Sequence, residues 1–232
     1  SNQSISYPNT ALNVAVTESL DYIAGELEKA VAAGKKVEDA ARELLPKIIK
    51  EHKRIIFNGN GYSKEWEIEA KKRGLLNLKN TVDALPQWAS KEATALFEKY
   101  KVLNEREVHA RYEIMVETYN KVINVEGQLT VLMANRYVLP AALEYAKQVG
   151  QAVAAVKAGG GRTVEGKKLL DKVTKLTDEF KKRTDKLEEA LAHGGGSAEK
   201  HAKHFRDAVI PAMVALREAS DALEATIPHE LW

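Results

Sequence analysis

The stretch that decides the fold runs from Gly159 to Gly196 and reads GGGRTVEGKKLLDKVTKLTDEFKKRTDKLEEALAHGGG. Two glycine triplets, in AGGGR and HGGGS, enclose a segment in which apolar side chains recur mainly at steps of three and four residues. They are Leu169, Val173, Leu176, Phe180, Leu187 and Leu191. This spacing puts them on one side of a helix. It predicts a long amphipathic helix in an antiparallel bundle, with the triplets as short connections between helices.

The segments on either side of this stretch have the same periodicity. A helical pattern runs from about Asn104 to Ala158, and its apolar positions are Val108, Tyr112, Met115, Tyr119, Val122, Val125, Leu129, Leu132 and Met133. The last predicted helix carries Phe205, Val209, Ala212, Leu216, Ala219 and Leu223. Pro140 and Pro211 lie in similar apolar surroundings, YVLPAAL and AVIPAMVAL. Because an internal proline disrupts a helix, the sequence predicts two helices kinked at comparable points.

The N-terminal third of the chain is also predicted to be largely helical. A first helix ends near Gly34 and has one apolar stripe of Leu12, Val16, Leu20, Ile23, Leu27 and Val31. A second helix covers Val37 to His52, and its inward side chains are predicted to be Leu44, Leu45, Ile48 and Ile49. Pro46 predicts a kink or a break near Leu44.

Short elements follow before the long helices begin. Arg54 to Phe57 resembles a strand, Ser63 and Ser90 are predicted N-caps of short helices, and residues 75–86 are predicted to be irregular. The sequence therefore predicts an all-α fold. A long antiparallel helical bundle with kinked helices is joined to a smaller helical and irregular N-terminal part.

Composition excludes several classes of function. Among 232 residues, 35 are Lys or Arg and 33 are Asp or Glu, a balance that argues against a nucleic-acid-binding protein. There is no cysteine, which excludes disulfides and thiolate metal sites and is compatible with the cytoplasm. No apolar run is long enough to predict a membrane span, and SNQSISYPNT lacks the features of a signal peptide.

The segment FNGNGYS, from Phe57 to Ser63, is the most unusual in the chain. Its weak candidates for an anion site are Asn58, Gly59, Asn60, Gly61 and Ser63, since a helix is predicted to begin just after Ser63. A phosphate-binding loop would need a lysine and a hydroxyl directly after its last glycine, and Tyr62 stands there instead. A tight turn is the favoured interpretation, with positive φ at the two glycines.

Histidine and tryptophan side chains are candidates for metal or stacking sites. His201 and His204 are one helical turn apart and near Glu199, but a zinc site needs three or four ligands and none can be assigned to complete it. We therefore predict exposed histidines and no metal site, and His109 is interpreted as a packing or hydrogen-bonding residue. Trp66, Trp88 and Trp232 are predicted to be packing anchors. No catalytic residue set is recognised.

Three blocks resemble type III glutamine synthetase. They are HKRIIFNGNGYSKEWEIEAKKRGLLNLKNTVDALP (His52 to Pro86), ARYEIMVETYNKVINVEGQLTVLMANRYVLPAALEY (Ala110 to Tyr145) and FRDAVIPAMVALREASDALE (Phe205 to Glu224). The start, SNQSISYPNTALN, is similar to the segment just after that family's glutamate-binding arginine. The resemblance implies a cytoplasmic enzyme that ligates ammonia to glutamate with ATP through γ-glutamyl phosphate, using Mg²⁺ or Mn²⁺. It also implies a double-ring oligomer, expected to be a dodecamer.

The family's motifs for metal, ATP and glutamate do not occur in this chain, so we expect no catalytic residue, cofactor or metal here. Under this interpretation residues 1–33 complete the catalytic domain and residues 34–232 form the class-specific helical domain. The expected partners of the helical domain are its own catalytic domain and neighbouring subunits. Its expected role is scaffolding, ring assembly or regulation, and the chain alone is expected to be catalytically inactive. The alternative is a free-standing helical module for protein–protein interaction.

Overall fold

The computed structural model describes residues 4–192 and 195–232, and this part of the chain is helical without any β-strand. The predicted all-α fold is confirmed. The helices are α1 (Ser6–Ala32), α2 (Val37–His52), α3 (Lys64–Lys72), α4 (Thr81–Trp88), α5 (Lys91–Lys99), α6 (Glu105–Met133), α7 (Leu139–Ala158), α8 (Val164–Leu191), α9 (Ala198–His204) and α10 (Ile210–Glu224). His193 and Gly194, which belong to the second predicted connection, lie outside the described residues, as do residues 1–3.

The chain forms two compact units, residues up to 112 and residues 113–232, and α6 begins in the first and ends in the second. The family resemblance places a boundary elsewhere, after residue 33, and that boundary stays a prediction. Each unit has its own hydrophobic core.

The second unit is built around α8, which packs against both α7 and α10. Its core contains Phe180 and Leu187 from α8 with Leu216 and Leu223 from α10, all almost completely buried. These are positions of the predicted stripes, which are confirmed for α8 and for the last helix. Arg183 strengthens the contact, because its Nη1 donates to the carbonyl oxygen of Ala215 at 2.6 Å.

A π-helical turn lies at each of the two predicted kinks, directly before the helix that contains the proline. The turns are Ala134–Val138 and Phe205–Val209. In each, an amide bonds five residues back: that of Leu139 donates to Ala134, and that of Ile210 to Phe205. A proline lacks the amide hydrogen and its ring clashes with the carbonyl four residues earlier, so one widened turn relieves the conflict.

The predicted stripe of α6 is correct only in its first half. Val108 is buried, but Val122, Val125, Leu129, Leu132 and Met133 are exposed. In the second unit, α6 instead buries the face that carries Val116 and Gly127, and this face continues to the buried Ala134 of the π-helical turn. Gly127 does not weaken the helix; a Cβ there would lie 2.7 Å from Leu191 Cδ2, so the glycine permits a close approach.

The first unit packs Val14 of α1 against Phe97 of α5 and Val108 of α6. The predicted stripe of α1 is buried only in part: Ile23 and Leu27 are half-buried, but Leu12, Val16 and Leu20 are exposed. Helical residues are about 100° apart around the axis, so Val14 and Val16 point to nearly opposite sides. The first unit therefore leaves an apolar face of α1 uncovered.

The predictions for α2 are correct only in part, since Ile48 is half-buried and the predicted break does not occur. Leu44 is buried, but Leu45 and Ile49 are exposed. α2 also continues without a break through Pro46. The proline leaves only the carbonyl of the exposed Arg42 without its usual intrahelical donor, a loss that solvent can compensate.

Two predictions for the short elements are corrected. The strand-like residues 54–57 contain the end of a 3₁₀ turn, Lys53–Ile55, followed by extended backbone at Ile56. Residues 81–88 form α4 instead of an irregular segment, because Asn80 caps it by accepting from the amide of Asp83 at 3.0 Å. The predicted caps are confirmed: Ser63 accepts from the Trp66 amide and Ser90 from the Ala93 amide.

Candidate functional site

The Phe57–Ser63 loop is a tight turn held by hydrogen bonds to Asn60. The Asn60 carbonyl accepts from the Ser63 amide at 3.1 Å, and Asn60 Oδ1 accepts from the Tyr62 amide at 3.0 Å. This is the local side-chain bond that makes asparagine a turn residue. Tyr62 itself is fully exposed. The predicted turn is therefore confirmed.

The predicted positive φ at Gly59 and Gly61 is wrong. Among described residues, positive φ occurs at other glycines, including Gly34 and Gly74 where α1 and α3 end. Gly59 is needed for space instead, since a Cβ there would lie 2.6 Å from Phe57 Cζ. Nothing lies within 4 Å of a Cβ built at Gly61. The turn comes from the Asn60 side chain, so neither glycine has to adopt a left-handed conformation.

Aromatic stacking fixes the loop on α3. The Phe57 ring stacks on Trp66 with centroids 4.4 Å apart and an interplanar angle of 25°. The guanidinium carbon of Arg73 lies 5.7 Å from the centre of the Trp66 ring. This arrangement confirms Trp66 as a packing anchor. Trp88 is another, because it contacts the Tyr7 and Phe97 rings.

Arg73 joins the end of α3 to the chain that leads into the loop. Its Nη1 donates to the carbonyl oxygens of Arg54 at 3.2 Å and Ile56 at 2.8 Å. Its Nε donates to Glu69 Oε1 at 2.6 Å, and this hydrogen bond holds the pKa of Glu69 below its ordinary value. No local sequence pattern indicates this network, because its members are up to 19 residues apart.

Amides at the N-terminus of α3, where an anion would bind, donate to side chains of the chain itself. Ser63 Oγ accepts from the Trp66 amide at 3.3 Å. The Glu65 carboxylate accepts from its own amide and from Ser63, and these hydrogen bonds lower its pKa. Ser63 therefore acts as a cap. The five anion candidates of the loop stay a prediction, and among them Asn58 lies apart in a groove beside Lys50, Lys53 and Arg54.

The predicted exposure of the paired histidines is wrong. His201 and His204 are both half-buried, and His204 Nε2 lies 2.8 Å from the Ala190 carbonyl oxygen. Its contact with α8 gives His204 a structural role. His109 is exposed on α6.

Within residues 4–192 and 195–232, no three His, Asp or Glu side chains come close enough to hold a metal ion. In the same part of the chain, no helix combines the length and apolar character needed to cross a membrane.

Comparison with known sequences identifies the family. The sequence model of the glutamine synthetase C-terminal domain matches residues 40–157, which include α6, α7 except its last residue, and the whole Phe57–Ser63 loop. The chain belongs to the glutamine synthetase C-terminal domain family. The matched region covers half of the chain and contains two of the three blocks that carried the resemblance.

Glutamine synthetases are also similar to the chain individually. The glutamine synthetase of Butyrivibrio fibrisolvens is 32% identical over 202 residues, which are 85% of this chain and 29% of that protein. The type-3 glutamine synthetase of Dictyostelium discoideum is 28% identical over 240 residues, covering all of this chain and 32% of that protein. These findings confirm the resemblance to type III glutamine synthetase. The chain spans about a third of the length of these relatives.

Proposed function

We propose that the chain is the C-terminal part of a type III glutamine synthetase that ligates ammonia to glutamate through γ-glutamyl phosphate. The match to the family's C-terminal domain and the similarity to relatives about three times as long support this proposal. The complete enzyme uses ATP with Mg²⁺ or Mn²⁺ and works in the cytoplasm. Its metal and substrate sites lie outside the described residues, so the chain alone is inactive.

The uncovered face of α1 supports the proposal that this chain contacts the rest of the enzyme. Leu12, Val16 and Leu20 are 62%, 50% and 61% exposed and follow one another at four-residue steps. They lie on the side of α1 away from Val14, which is buried in the first unit. Aligned apolar side chains of this size mark an interaction surface. We assign this face to contact with the rest of the enzyme, so that α1 completes the catalytic domain.

A second uncovered face supports a role in assembly. Val122, Val125, Leu129 and Leu132 of α6 are exposed and recur at steps of three and four residues. Gly127, on a different side of the same helix, is buried. A helix with two apolar sides can pack into its own unit and also against another subunit. The proposed role of this portion is therefore to hold subunits together in a double-ring oligomer, expected to be a dodecamer.

Light scattering during size-exclusion chromatography tests the α1 face in the isolated chain. Removing α1 would uncover Phe97 and Val108, so substitution is the sharper test. We expect the chain to self-associate with rising concentration and the double variant Leu12→Glu/Leu20→Glu to self-associate less, through its α6 face alone. Thr17→Glu is the matched control, because Thr17 is exposed and polar on the same helix. Equal self-association of the double variant and the wild type, or monomeric behaviour of all three proteins, would contradict the assignment.

The same uncovered faces also suit a free-standing interaction module. The gene sequence distinguishes the two functions, because the enzyme requires a catalytic domain encoded upstream of residue 1. An open reading frame that begins near Ser1 would support the module and contradict the enzyme. An upstream region with the metal, ATP and glutamate motifs of the family would support the enzyme.

A further inference from the structure

A groove lies beside the Phe57–Ser63 loop, within the first unit. It is bounded by the end of α2, the 3₁₀ turn Lys53–Ile55 and the backbone that leads to Asn58, and its volume is about 800 Å³. Arg73 fixes its shape, since it ties the carbonyls of Arg54 and Ile56 to the end of α3. The groove is thus a surface with defined geometry.

The rim of the groove is positively charged. Lys50, Lys53 and Arg54 line it, and none of the three has a carboxylate partner within the described residues. No Asp or Glu is among the described residues that line it. A basic residue in the last turn of a helix stabilises the helix end, which explains Lys50. Lys53 is the C-cap residue of α2 and Arg54 follows it in the 3₁₀ turn, so the three basic side chains are concentrated at one helix end.

The wall of the groove is apolar and open. Ile49 and Ile56 line it, and each remains more than half exposed. Sites for small molecules enclose most of the ligand surface, which an open groove cannot do. A polypeptide segment can cover such a surface along its length, with apolar contacts in the centre and charged contacts at the rim.

We propose that this groove is the docking site of an acidic polypeptide segment from the rest of the enzyme. The segment places an apolar side chain over Ile49 and Ile56 and carboxylates beside Lys50, Lys53 and Arg54. We infer that the segment is acidic because the rim of the groove is basic. The segment can come from the roughly two-thirds of the relatives' length that this chain does not cover. This inference rests on the proposed function. Docking there would also cover Asn58 and so fix the Phe57–Ser63 loop against its partner.

Hydrogen exchange in the full-length gene product tests the proposal. We expect the amides of residues 53–58 to exchange at least tenfold faster in Lys53→Glu/Arg54→Glu than in the wild type. The matched control is Lys47→Glu/Lys64→Glu, which makes the same charge change at exposed lysines outside the groove. High salt should accelerate exchange of these amides in the wild type, because screening weakens exposed charge contacts. The salt test needs no variant.

Three results would overturn the proposal. The first is exchange of residues 53–58 that neither the variant nor salt changes. The second is an equal effect of the control variant. The third is protection that appears only when millimolar phosphate or ATP is added, which would assign the groove to a small anion. Glutamine formation by the same samples is measured separately, so a failure of the proposed enzyme function is distinguished from a failure of docking.

Discussion

Arg73 donates through Nη1 to the carbonyl oxygen of Ile56 at 2.8 Å, across 17 positions of sequence. A lysine cannot reproduce this contact together with the bond to Glu69, because it lacks the planar fork of donors. We expect Arg73→Lys to lower the free energy of unfolding by about 1–2 kcal/mol, as for hydrogen bonds to a charged group in a partly exposed site. Urea denaturation measures the difference.

Arg42→Lys is the control for this substitution. Arg42 is exposed and its ion pair with Asp39 is long, at 3.6 Å, so its replacement should change stability little. A loss for Arg73→Lys no larger than that of Arg42→Lys would show that Arg73 does not hold the loop.

Gly59 and Gly61 differ in the space around them, which gives a paired prediction. Gly59→Ala must push the Phe57 ring off Trp66, so it should cost about 0.5–1.5 kcal/mol, the value of an aromatic pair. Gly61→Ala meets nothing within 4 Å and should be neutral or slightly stabilising. Urea denaturation compares the two variants, and the Phe57 ring proton shifts in NMR report the stack. Equal costs for both variants would contradict the role assigned to Gly59.

Leu187 and Leu129 are both predicted stripe residues, but only Leu187 is buried. Leu187→Ala should cost about 2–5 kcal/mol, because it leaves a cavity between α8 and its neighbours. Leu129→Ala should change the stability of the isolated chain by less than about 0.5 kcal/mol. Thermal and urea unfolding of the two variants provide the comparison. A large loss for Leu129→Ala would mean that α6 buries this face within the chain, and the assembly surface would have to be abandoned.

The bond between Glu69 and Arg73 gives stability a pH dependence. Arg73 lowers the pKa of Glu69 from its ordinary value of 4.5. A lowered folded-state pKa stabilises the protein above the unfolded value, and this contribution is lost as the pH falls through the folded-state pKa. Between about pH 7 and about pH 3 the wild type should therefore lose more unfolding free energy than Glu69→Gln. Urea denaturation at both pH values tests this, and an identical loss in the two proteins would refute it.

Helical periodicity was enough to predict the core of the second unit but not its uncovered surface. Val173, Phe180 and Leu187 form the single apolar side of α8, so the pattern indicated burial correctly. α6 has apolar residues on two sides, and the pattern could not tell which side the rest of the chain covers. Leu129 was therefore assigned to the core in error.

The turn at the candidate site could be predicted from local chemistry, whereas its supports could not. Asn60 and Ser63 act on amides two or three residues away, which is visible in the sequence. The contact of Arg73 with Ile56 depends on how α3 folds back, which no local pattern records. The role of Gly59 depends on where the Phe57 ring lies, so the expectation of positive φ missed the steric reason for a glycine.

Glutamine formation from glutamate, ammonia and ATP is the measurement that tests the central claim most directly. It should be carried out with Mg²⁺ or Mn²⁺ on the full-length gene product and on the chain of residues 1–232. The account predicts turnover by the full-length product and none by the chain alone. Turnover by the chain alone, or a full-length product that forms no glutamine, would contradict it.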